Sequence, residues 1–135
     1  MQMRAYAVEQ ATALLGHLAF RVGPAVKRAD PDSIHELRVA IRRFARCLRA
    51  FGQFFPGRES KKIRQRLRRI MDLSAEVRDR DVALDLCKKA GLPSDAPVLA
   101  RLKQERQLTQ QKLATKLVRL RTRDFSRRWR KRLKL

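Results

Sequence analysis

Apolar positions along this chain recur at intervals of three and four and seldom at intervals of two, so the elements they predict are helices. Met3, Ala7, Ala11, Leu14, Leu18 and Val22 trace one apolar line, and Gly23-Pro24 is expected to kink or end that first helix. Asp30-Pro31 opens a second, because an aspartate can accept orphan backbone N–H groups and a proline at the first helical position loses no hydrogen bond. Along it Leu37, Ile41, Phe44, Leu48, Phe51 and Phe55 form a core face, with Ala40, Ala45 and Cys47 as small flanks. Phe55-Pro56-Gly57 is expected to stop it.

A third helix is predicted over Lys61 to Leu73, with Ile63, Leu67, Ile70 and Met71 on its apolar side. Asp79 is placed to cap a short helix from Arg80 to Ala90, which Gly91-Leu92-Pro93 closes. Ser94, Asp95 and Pro97 open a long helix whose apolar residues are Leu99, Leu102, Leu113, Leu117 and Leu120, and Thr122 and Asp124 mark a break. Phe125, Trp129 and Leu133, spaced by four among basic residues, predict a last helix that docks on the others in preference to an anionic membrane surface. Short connections make the expected architecture an all-α, antiparallel helical bundle, with residues 1–135 forming one domain.

The polar positions change the picture on the second helix. At about 100° per residue, His35, Arg38, Arg42, Arg46 and Arg49 fall on one stripe opposite the apolar face. An arginine stripe is ordinarily a solvated face, but here the compensating carboxylates are missing: Glu36 is the only one between Asp32 and the end of the helix. The imbalance runs through the chain, where 34 Lys and Arg against 13 Asp and Glu give a net charge of +21. Solubility does not require that much self-repulsion, and a polyanion would relieve it. Lys27 and Arg28 bring further positive charge close to the start of the second helix, and Arg64 and Arg68 form a second basic row on the third.

Two segments carry a family resemblance. SIHELRVAIRRFARCLRAF, with its His-x-x-Arg-Val-x-x-Arg-Arg core, resembles the signature helix of CHAD domains, the conserved-histidine α-helical domains, and EVRDRDVALDL is similar to that family's Arg-Asp-x-Asp-Val segment. Their order and separation match too. The resemblance implies an all-helical module that binds inorganic polyphosphate through a basic surface without catalysis of its own, with His35, Arg38, Arg42 and Arg43 facing the ligand. Where the family usually has Leu-Gly before the Arg-Asp segment this chain has Ser74-Ala75, and where the family commonly has two helical repeats this chain has one. A homodimer that completes the two-repeat arrangement is therefore expected.

Other chemistries find little support. The Arg78, Asp79, Asp81 cluster reads more simply as a cap and ion pairs than as a metal or acid–base site. There is no glycine-rich phosphate loop and no Cys/His metal spacing, so an enzyme, a bound metal and a cofactor are not expected. The basic faces would also hold a nucleic-acid backbone, which is the second reading, although the stripe offers neither stacking aromatics nor Asn or Gln for base readout. Glu9, Gln10, His17 and Arg21 interrupt any apolar run long enough to span a bilayer, and the two cysteines, far apart in sequence and without a signal peptide, fit a reducing cytoplasm.

Overall fold

Helix-forming periodicity is realised throughout: the computed structural model describes residues 2–135, and they form α1 (Met3–Lys27), α2 (Pro31–Ala50), α3 (Gly57–Lys89), α4 (Pro97–Thr122) and α5 (Phe125–Leu133), with a 3₁₀ turn at Gly52–Phe54. Among the described residues there is no strand, and the helices pack as an all-α bundle. One core cluster joins α1, α2, about the first two-thirds of α3, the second half of α4, and α5.

Helix α1 runs through Gly23-Pro24 and ends three residues later. A proline inside a helix deprives the carbonyl four residues earlier of its partner, and here that residue is Phe20, which lies on the exposed face. The chain then turns at Ala29, whose φ of 51° is left-handed and whose N–H, like that of Arg28, returns to the Pro24 carbonyl. The buried line of α1 is Ala7, Ala11, Leu15, Leu18, Val22 and Ala25; Leu15 takes the place expected of Leu14, and Met3 is exposed.

Helix α2 begins as predicted, with Asp30 as N-cap accepting from the Ser33 N–H at 2.8 Å and Pro31 in the first turn. It stops earlier than predicted. Ala50 is its last residue, and Phe51 leads into the 3₁₀ turn, so Phe55 reaches the core from the connection and not from the helix. Tyr6 of α1 meets the edge of Phe51 with ring centroids 5.8 Å apart, which pins this connection to the bundle.

The third and fourth predicted helices are one. α3 runs unbroken for 33 residues through Ser74-Ala75, with Ser74 fully buried at mid-helix. Asp79 is therefore an exposed interior residue of α3 and caps nothing. The helix ends in a Schellman motif: Gly91 has φ 73°, Gly91 N–H returns to the Lys88 carbonyl and Leu92 N–H to that of Cys87. At 1.5 Å per residue α3 is about 50 Å long and α2 about 30 Å, so α3 overhangs its neighbour and its last turns pair with the first turns of α4. From Arg78 to Leu108 only Leu99 is buried, which makes this stretch an arm of two helices beyond the core.

Helix α5 follows the turn at Asp124, in left-handed geometry, and buries Phe125, Trp129 and Leu133. Trp129 stacks parallel to Phe44 of α2 with centroids 6.3 Å apart and meets Phe125 edge-on at 4.9 Å. The docked reading of the C-terminal helix holds.

Candidate functional site

Because α2 and α3 are antiparallel neighbours joined by a short connection, the polar stripe of one faces the basic row of the other. Between them lies an open groove of about 460 Å³. Arg42, Arg46 and Arg49 supply one wall, and Lys61, Arg64 and Arg68 the other. Spacings of four and three on each helix stack these side chains turn over turn. Ile41, Ala45, Leu67 and Met71 line its apolar part, and Gln65 is the one uncharged polar residue; no carboxylate lines it.

The charges in this groove are unusually free. Among the described residues none of the six cations takes part in an ion pair, and the Nε–H of Arg64 is buried without an acceptor. A buried, unsatisfied donor costs free energy, and six neighbouring cations repel one another. An anion in the groove would offset both. The only carboxylate on the central part of α2, Glu36, is turned away to Arg21 of α1 at 3.7 Å.

Arg38 behaves differently from the rest of its stripe. Its guanidinium reaches across to α3, where Nη1 donates to the Met71 carbonyl at 3.0 Å and to Ser74 Oγ at 2.7 Å, while Ser74 Oγ donates to the same carbonyl at 2.8 Å. Burial, then the nearby Arg42 and Arg78, lower the affinity of this guanidinium for its proton, with Asp79 opposing. Arg38 thus belongs to the contact that sets the spacing of α2 and α3, which corrects its expected place on a free polar face. Ser74, in the position where Leu-Gly was expected, supplies the acceptor that makes this contact possible.

The remaining sequence candidates are not all brought together. His35 is exposed in the second turn of α2, on the line that Arg42 continues but outside the groove. Arg43 is exposed on the flank toward α1, where it borders a shallow depression with Arg46, Tyr6 and Phe51. Lys27 and Arg28 are exposed at the C-terminal end of α1, away from the groove, where Arg28 acts on Asp30. Lys61 was missed as a candidate, although it lies three and seven residues before Arg64 and Arg68 and so on their row.

The Arg-Asp segment forms ion pairs. Arg106 of α4 pairs with Asp81 and also donates to the Ala29 carbonyl at 2.6 Å and to Gln110 Oε1 at 2.8 Å, while Arg80 meets Glu105 at 3.5 Å. Among the described residues no three His, Cys, Asp or Glu side chains gather where they could hold a metal ion, and no helix is long and apolar enough to cross a membrane.

As a class, the chain is an all-helical bundle with a groove between α2 and α3 lined by uncompensated cations. The family model of the CHAD domain matches residues 9–135, and the chain belongs to that family, which is associated with polyphosphate binding or related functions. Comparison with curated proteins and with solved structures gives no significant match.

Proposed function

We propose that the groove between α2 and α3 binds inorganic polyphosphate and that the domain acts as a binding module without catalysis. The observation that supports this most directly is the lining: six cations on two walls, no carboxylate, and a buried Arg64 Nε–H that lacks an acceptor. Arginine forks donate paired hydrogen bonds to phosphate oxygens, and each neutralised phosphate releases counterions, as in nucleic-acid binding. A linear polymer with a charge on every unit can meet both walls along the length of the groove, and His35 extends the line of donors toward the N-terminus of α2. In this reading two copies of the chain face each other across the groove and complete the two-repeat arrangement of the family.

The test sets charge reversal in the groove against equal charge reversal elsewhere. Arg46→Glu with Arg49→Glu changes two exposed groove residues without touching the Arg38 contact, whereas Lys112→Glu with Lys116→Glu changes two exposed residues of α4. Titration with long-chain polyphosphate is expected to show affinity lost about a hundredfold in the groove variant and about fivefold or less in the control. Equal losses would reduce the groove to a solvated face, and tighter binding of single-stranded RNA than of polyphosphate would favour the nucleic-acid reading.

A further inference from the structure

The groove occupies one flank of α3. Arg66 lies two residues from both Arg64 and Arg68, and two residues turn a helix by about 200°, so it projects from the other flank, roughly 160° away around the axis. There α5 packs against α3, and its Phe125 lines the same apolar crevice as Ile70, one turn along from Arg66. Phe125, Trp129 and Leu133 are buried, which fixes the rotation of α5 about its own axis. Arg128 and Arg132, one turn apart, are the half-buried basic residues of this helix, while Arg127, Arg130 and Lys131 are exposed. Arg123, in the turn before α5, and Arg69, one turn along α3, complete the group.

This arrangement has the marks of a site. Arg66 is half-buried, and burial followed by the charges of Arg123, Arg128, Arg132 and Arg69 disfavours its protonated form, with no carboxylate opposing them. Among the described residues none of the five guanidinium groups has an ion-pair or hydrogen-bond partner. Five arginines from α3, α5 and the turn between α4 and α5 therefore converge at a cost in mutual repulsion that no contact within the chain offsets.

We propose that Arg66, Arg69, Arg123, Arg128 and Arg132 form a second anion site, for a compact condensed phosphate, on the flank of α3 turned away from the groove. Several cations gathered about one half-buried guanidinium suit a ligand with three or more negative charges within a few ångströms. A nucleic-acid strand spaces its charges more widely and needs exposed aromatic faces for its bases, whereas Phe125 and Trp129 are locked in the core. The site stands on its own arginines and does not depend on the groove.

Inorganic triphosphate is the probe. Calorimetric titration of the wild-type chain is expected to show two molecules bound per chain. Replacing Arg66, Arg128 and Arg132 with Gln should weaken one of the two about tenfold or more and leave the other within about twofold, while Arg46→Gln with Arg49→Gln does the converse. On the wild-type protein, which needs no altered fold, triphosphate should protect Arg66 and Arg128 from phenylglyoxal, while exposed Arg101 of α4 is protected weakly or not at all. One bound molecule, lost in the groove variant and retained in the Arg66 variant, overturns the second site and leaves the groove reading intact; one bound molecule with the opposite pattern does the reverse. Absence of protection at Arg66 and Arg128 overturns the site, and preferential protection there by oligothymidylate overturns the choice of ligand.

Discussion

Asp30 shows how one side chain can set the start of the helix that carries the site. Hydrogen bonding from Ser33, through its hydroxyl and then its backbone N–H, holds this carboxyl below its ordinary 3.8; burial opposes this, and Arg28 adds a smaller lowering. A carboxyl that is lowered on folding contributes stability that is present above its unfolded value and is lost as pH falls through the folded one. Asp30→Ala is therefore expected to lower the melting temperature at neutral pH, with the gap to wild type narrowing as pH falls below 3.8. Thermal melts by circular dichroism at several pH values check this, and a gap that stays constant with pH would mean that the ionised cap contributes nothing. Arg38 makes the complementary point. By spacing it is equivalent to Arg42, and only the register of α3, which brings Met71 and Ser74 opposite, makes it a tie between helices.

At the scale of elements, local chemistry was legible and continuity was not. The start of α2 could be read because Asp30 and Pro31 act within one turn, and the end of α3 because Gly91 takes a conformation that suits glycine. The unbroken course of α3 could not, since Ser74-Ala75 and the alternating charges of Arg78, Asp79, Arg80 and Asp81 are as compatible with a turn and a cap as with a helix interior. What decides is tertiary: Ser74 packs against α2 and Asp81 is claimed by Arg106 of α4. The groove follows the same division, because spacing reveals each basic row but not which rows face each other. Arg106 is expected to matter most here. Arg106→Ala leaves a nearly buried carboxylate and the Ala29 carbonyl without a donor, and should cost about 2–4 kcal/mol in urea unfolding. Asp81→Leu combined with Arg106→Met should recover much of that loss, since a buried pair is often replaceable by apolar residues of similar volume. Equal instability of the single and double variants would show that the Ala29 contact dominates.

For the molecule as a whole, a charge of +21 on 135 residues makes association with its own kind unfavourable unless an anion intervenes. Two copies brought groove to groove would set twelve lining cations together, twice the six of one copy. The expected dimer should therefore form in the presence of polyphosphate and loosen at low salt without it. Light scattering that reports a monomer both with and without polyphosphate would exclude it.

The arm formed by the end of α3 and the start of α4 also divides the molecule by local stability. With Leu99 as its one buried side chain between Arg78 and Leu108, and with Arg106 near its base as the latch to the α1–α2 turn, the arm has little apolar burial to lose when it opens. Its amide protons, from about Arg80 to Leu102, should exchange with deuterated solvent through openings smaller than global unfolding, while those of α2 and of α3 before Val77 wait for the whole bundle. Polyphosphate held in the groove should slow exchange in α2 and early α3 and leave the arm unchanged, so that ligand binding widens the difference between a rigid body and a mobile extension.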